Sequence, residues 1–150
     1  MGAKMDIPGD FFIEYYFSEG SVPPPHHYEY GIAIKKADGS GVIRYFPDYS
    51  AHYKTPVTRS FKVSESGFAE LFSAVKVIEG RKWDYETDKV GGATESVEIV
   101  YDKRVIRIKE NPIAYDKVKP LYQKINGLVP AEIWKELKNI RDEYIKNYKK

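Results

Sequence analysis

The sequence predicts an α+β fold, in which a curved antiparallel sheet of about six strands carries three helices on its apolar face. Aromatic and β-branched residues alternate with polar ones before residue 64 and again around residue 100, as in half-buried strands. Apolar residues recur at helical spacing after each of these regions. The order ββββ-α-ββ-αα lacks the regular strand–helix alternation of parallel sheets, and we expect one domain spanning residues 1–150.

Four strands are predicted in the first part of the chain. In the first of them Phe11, Ile13 and Tyr15 share one face, and Glu14 lies on the other, which we expect to be open to solvent. Asp38-Gly39 accepts the positive φ angles of a tight turn and predicts a hairpin. The predicted strands are Phe11–Phe17, Tyr28–Lys35, Val42–Phe46 and Val57–Val63.

The rest of the chain predicts one mid-chain helix, a second hairpin and a C-terminal helix pair. The mid-chain helix spans residues 64–79, with Ser64 as its N-cap and Gly80 after its end. Two strands, residues 97–101 and 105–108, then pair across a short turn. Asp116 is the predicted cap of the next helix, which Asn126-Gly127 ends, and Pro130 begins the last helix.

Composition and charge favour a globular protein of the cytoplasm. No apolar run reaches the roughly 18 residues that cross a bilayer, and the N-terminus lacks the apolar stretch of a secretion signal. The net charge is +2, but residues 103–150 hold thirteen basic and six acidic side chains. The chain has one glutamine and no cysteine beside many lysines and glutamates, a bias typical of thermophiles.

The histidines are the one grouping that suggests a reactive or metal site. His26 and His27 are adjacent on an extended segment, so their side chains point to opposite faces and only one of them can join His52 in a site. One hypothesis is that this histidine and His52 bind a divalent metal, and a second is an enzyme of unfamiliar type with a cleft beside them. The simpler interpretation is a solvated histidine pair, and the pattern predicts no metal and no cofactor.

Nucleophilic and nucleotide-dependent chemistry is disfavoured by the motifs that the sequence lacks. It contains no G-x-S-x-G elbow, no phosphate-binding glycine loop and no cysteine nucleophile. Nucleic-acid binding through tyrosines and the basic C-terminal third is a further alternative, but no RNP-type motif supports it. No catalytic residue is therefore assigned.

Thirteen tyrosines make a binding role the favoured interpretation, with another protein or a small ligand as the partner. Tyrosine is enriched at interfaces because it offers a large contact area and one hydroxyl. This hypothesis requires a contiguous patch of exposed rings. The predicted surface comprises His26, His27, Tyr28, Tyr30, Tyr45, Tyr49, His52 and Tyr53.

Overall fold

The computed structural model describes residues 6–20, 22–24, 26–87 and 92–148 of the 150-residue chain. Within them the predicted order ββββ-α-ββ-αα is confirmed. The strands are β1 (Phe12–Ser18), β2 (Glu29–Lys35), β3 (Ser40–Phe46), β4 (Val57–Lys62), β5 (Thr94–Tyr101) and β6 (Arg104–Ile108). The helices are α1 (Glu65–Ile78), α2 (Tyr115–Leu128) and α3 (Ala131–Asn147).

The six strands form one open antiparallel sheet in the order β4-β3-β2-β1-β5-β6. The first strand lies inside the sheet, because β5 returns to pair with its free edge after α1. Tyr15 stands opposite Ile32 on one side and Val97 on the other, so that apolar side chains form continuous rows on one face. This long-range pairing fixes which side chains share the second face.

All three helices pack on the apolar face. Each buried aliphatic or aromatic side chain there stabilises the fold by roughly 1.5–3 kcal/mol relative to exposure. The buried positions alternate along the strands, which leaves every second side chain on the uncovered face. The largest fully buried side chains are Tyr15, Tyr101, Tyr122, Phe11, Ile13, Ile32, Ile34, Ile43, Leu71, Ile78, Ile99 and Ile108.

The boundaries of α1 agree with the sequence prediction. The hydroxyl oxygen of Ser64 accepts a hydrogen bond of 3.0 Å from the amide of Gly67, which satisfies one of the free donors of the first turn. Gly80 follows the helix with φ +76°, a conformation that costs glycine little.

Two predictions for α2 were wrong. The N-cap is Ala114, and Asp116 lies inside the first turn with an exposed side chain near Lys117. The helix also continues through Asn126-Gly127 to Leu128, and Val129 leaves the helical conformation because the residue before a proline disfavours it.

A two-residue turn joins β5 to β6. The turn was predicted from the sequence, but its left-handed backbone conformation was not. Asp102 and Lys103 have φ angles of 49° and 62°, the left-handed values that a two-residue hairpin turn requires. The carboxylate of Asp10 accepts hydrogen bonds from both amides, at 2.8 and 2.9 Å. These bonds, that from Lys103 most of all, hold the pKa of Asp10 below its usual value. In the β2–β3 turn, Gly39 supplies the positive φ, as predicted.

We expect Gly41→Ala to lower the free energy of unfolding by about 1.5 kcal/mol, because extra volume in a filled core forces its neighbours to move. Gly41 is buried in β3, and an added Cβ would lie 2.4 Å from the Cζ atom of Phe61. Gly127→Ala is the matched control, because that helical position has open space around it. Urea denaturation measures both variants, and equal stability of G41A and the parent would contradict the packing described for Phe61.

Candidate functional site

The uncovered face of the sheet contains a depression of about 420 Å3 that crosses β1, β2, β3 and the start of β5. This volume lies in the range of pockets that hold small molecules. Most of the residues that line it occupy the strand positions that alternate with the core positions, and the helices pack on the opposite face of these strands. The depression is therefore a surface feature on a rigid support.

Small residues and the ring of Tyr16 form the floor of the depression, and Phe46 also lines it. Gly31 and Ala33 lie on β2, and Val42 lies opposite Ala33 on β3. An added Cβ at Gly31 would lie 3.0 Å from the Cε1 atom of Tyr16, so the tyrosine ring rests against the glycine backbone. Tyr16 is still 52% exposed. A flat apolar group can therefore contact both the floor and the ring.

Some charged side chains around the depression form ion pairs and others do not. Within the described residues, Glu14 and Arg44 form no ion pair, although both line the depression. Glu14 stands directly opposite Glu98 across β1 and β5, and like charges in this position repel. The Nε atom of Arg107 lies 2.9 Å from the carboxylate of Glu98. Glu14 has no such cation among the described residues.

The hydroxyl of Tyr16 is a hydrogen-bond donor at neutral pH. Partial burial raises its pKa, and the negative charge and hydrogen bond of Glu14 raise it further, whereas the positive charge of Arg44 acts in the opposite direction. A phenol that keeps its proton is a poor base and a poor nucleophile. The site thus offers a donor, a carboxylate, a guanidinium group and an apolar floor for recognition.

The predicted histidine group is divided by burial. His26 is exposed, whereas His27 is 2% exposed and stacks on the ring of Tyr49 at 3.6 Å. The Nδ1 atom of His27 lies 3.1 Å from the carbonyl oxygen of Gly20, and its Nε2 atom lies 2.8 Å from the carboxylate of Glu29. Both ring nitrogens are therefore engaged with protein groups.

His52 lies near this group but stays exposed. Its ring centre is 5.9 Å from that of Tyr49, and its Nδ1 atom is 4.0 Å from the buried carboxylate of Asp48. Tyr49 thus contacts both His27 and His52. Among the residues that the structure describes, no group of three or more histidine, cysteine, aspartate or glutamate side chains is arranged to hold a metal ion.

The contiguous patch of exposed tyrosines that the sequence suggested is not present. Tyr30 and Tyr45 are 9% and 4% exposed, because they face each other across β2 and β3 on the side that the helices cover. Tyr28, Tyr49 and Tyr53 are half-buried. A binding role for these residues stays a prediction that depends on the half-buried rings.

Helix α3 covers these rings. Trp134 packs edge-on against Tyr30 at 5.2 Å, and the guanidinium carbon of Arg141 lies 4.5 Å from the ring centre of Tyr28. Tyr144 packs edge-on against Tyr53 at 5.6 Å. The tyrosines of this region therefore hold the helix to the sheet.

A second polar cluster joins the sheet to α2 on the helix-covered face. The hydroxyls of Tyr15 and Tyr115 both donate hydrogen bonds to the carboxylate of Glu95. Burial, and then the hydrogen bond to Glu95, raises the pKa of Tyr115 to about 12. The neighbouring Tyr122 is buried, and its hydroxyl has no hydrogen-bond partner among the residues that the structure describes. This cluster is structural, since its donors and acceptor face one another.

Tyr16, Gly31 and Arg44 were not predicted as site residues, and Glu14 was predicted to be a solvated acid. The signal was present in the alternation, because these residues occupy the strand positions opposite to the predicted core. No family model matches this chain, and no curated protein matches it either. No helix in the described ranges is both long enough and apolar enough to cross a membrane.

Proposed function

We propose that this protein is a small-molecule-binding domain and that the depression on the open face of the sheet is its binding site. One observation carries the proposal. The core is completed by helices on one face, while the other face has a hollow of about 420 Å3 with an accessible ring and charged groups that form no ion pair within the described part of the chain. Hollows of this size with a few polar groups on an apolar floor are typical of ligand sites.

Binding is favoured over catalysis by the chemistry of the lining residues. Acid–base catalysis needs a group whose pKa lies near the working pH. The described residues that line the depression include no histidine, and the pKa of the Tyr16 phenol is raised, away from neutrality. These groups suit the recognition of a bound molecule better than the transfer of a proton.

The test is a fragment screen followed by NMR mapping on the whole chain. We expect fragments to shift the amide signals of Tyr16, Gly31 and Ala33 and to leave those of α3 unchanged. Ala33→Leu fills the floor, and we expect it to weaken the binding of these fragments at least about tenfold, as steric exclusion from a small pocket does.

Ser60→Leu is the matched control, because Ser60 lies on the same face, opposite Val42 on the edge strand, and does not line the depression. It should leave fragment affinities unchanged. Fragments that bind S60L and A33L equally, or that map to the helices, would refute the proposed site.

A further inference from the structure

We infer that the ligand of this depression carries a positive charge, as an organic ammonium group attached to a flat apolar or aromatic body. The inference rests on the proposed binding function of the open face and adds the chemical class of the ligand. It depends on how charge is distributed around the hollow and on the position of one ring.

The lining of the depression is acidic. Among the described residues, three carboxylates line it, those of Glu14, Glu29 and Glu110, against the single guanidinium group of Arg44. Glu29 is already engaged by His27 and by the amide of Ser50. Within the described residues Glu14 and Glu110 have no ion-pair partner, so the lining has an excess of unpaired negative charge.

Glu14 and Glu98 form a cross-strand pair on β1 and β5. A carboxylate opposite another carboxylate in a sheet is destabilising unless cations compensate both. Arg107 compensates Glu98, but the neighbours of Glu14 on β2 and β3 are Ala33 and Val42. A cationic ligand above Ala33 would supply the charge that the protein does not.

The ring of Tyr16 lies beside this carboxylate. Tyr16 and Glu14 lie two residues apart on β1 and share the open face. An ammonium group over an aromatic face is attracted by the quadrupole of the ring, whose face is electron-rich, so one cation can contact ring and carboxylate together. The floor of Gly31 and Ala33 leaves room for the apolar body of the ligand.

Arg44 is expected to weaken the binding of a cation in the depression. It lines the same depression, and its positive charge acts on the Tyr16 hydroxyl, so it lies within electrostatic reach of a cation bound at the ring. Its charge repels that cation. Removing the Arg44 charge should therefore strengthen binding, whereas removing the Glu14 charge should weaken it.

The experiment compares three probes of one shape, namely 2-phenylethylammonium, 2-phenylethanol and 3-phenylpropanoate, by NMR titration at low salt. We expect the ammonium probe to bind about fivefold tighter than the alcohol, and the carboxylate probe to bind weakest, as one partly exposed charge pair allows. Glu14→Gln should reduce the preference for the ammonium probe over the alcohol to about twofold, because the Tyr16 ring and Glu110 remain. Arg44→Gln should increase affinity for the ammonium probe about twofold.

Glu132→Gln on α3 is the control for net charge, because it removes one negative charge far from the lining and should change none of the three affinities. Glu14→Gln relieves a repulsion with Glu98, so it should fold at least as well as the parent. Equal binding of the ammonium probe and the alcohol at Tyr16 and Gly31 would overturn the charge inference and leave the binding site standing. Absence of binding at the sheet face by all three probes and by the screened fragments would overturn both.

Discussion

Raising the pH from neutrality to about 11 is expected to remove about 6 kcal/mol from the free energy of unfolding. Burial raises the pKa of four core tyrosines above the ordinary value of 10.0, so they keep their protons in the folded protein. The unfolded chain ionises them near pH 10, and at one unit above that each contributes about 1.4 kcal/mol in favour of unfolding. The four residues are Tyr15, Tyr30, Tyr45 and Tyr122.

The raised pKa values of the folded tyrosines mean that stability falls as the pH rises. Stability is fully present below the pKa of the unfolded tyrosines and is lost as the pH rises toward the higher pKa of the folded ones. Because domains are stable by about 5–15 kcal/mol in total, the alkaline loss removes a large fraction of the stability.

Urea denaturation followed by circular dichroism at about pH 8, 10 and 11 measures the loss, and absorbance of the phenolate reports ionisation. In Tyr45→Phe one titrating group is absent, and the loss between pH 8 and 11 should be smaller by about 1.4 kcal/mol. A free energy of unfolding that is equal at pH 8 and 11 would contradict the burial of these rings.

The alternation of ring and β-branched residues was sufficient to predict the strands and the face that each buries. Tyr28, Tyr30, Ile32 and Ile34 share one parity, and the last three are buried as that parity requires. This parity places Tyr30 on the buried face, so it did not fit the prediction that Tyr30 belongs to an exposed patch. A large number of tyrosines does not by itself indicate exposed rings, because a tyrosine can bury its ring and keep its hydroxyl hydrogen-bonded.

The pairing of distant strands could not be predicted from local pattern. No short-range signal states that β5 pairs with β1, and that pairing alone brings Glu98 opposite Glu14. The depression depends on this register together with the small residues of β2, Gly31 and Ala33. The alternation within each strand therefore predicts which residues lie on the second face, but it does not predict which residues of other strands lie next to them.

Helix ends were predicted well where a side chain decides them and poorly where packing does. Ser64 caps α1 with its hydroxyl, and that signal is local. α2 begins at Tyr115 without a side-chain cap. Tyr115 donates a hydrogen bond to Glu95 on β5, a contact between residues far apart in the sequence that anchors the first turn to the sheet.

Asp48→Ala is expected to lower the free energy of unfolding by about 3 kcal/mol. Asp48 is fully buried in the connection between β3 and β4, and its carboxylate accepts a hydrogen bond of 2.7 Å from the amide of Tyr49 and a second from the hydroxyl of Tyr144 on α3. Hydrogen bonds to charged groups contribute roughly 1.5–3 kcal/mol each, and the loss of two outweighs the relief from burying a charge.

Asp48→Asn keeps the volume and one acceptor oxygen, so we expect it to lose less than half as much stability as Asp48→Ala. A double-mutant cycle with Tyr144→Phe isolates the contact between the loop and α3, and we expect a coupling energy of about 1–2 kcal/mol. Strictly additive effects would show that this contact does not hold the helix.

Because Asp48 contacts α3, its loss is expected to increase local opening of this helix in addition to lowering the global stability. Because α3 covers Tyr30 and Tyr45, weakening its attachment should let those rings meet solvent more often. Amide hydrogen exchange in the half of α3 around Tyr144 should then accelerate more in Asp48→Ala than exchange in α1, which does not contain this contact. Uniform acceleration in both helices would instead assign the loss to global unfolding, and the anchoring role of Asp48 would be wrong.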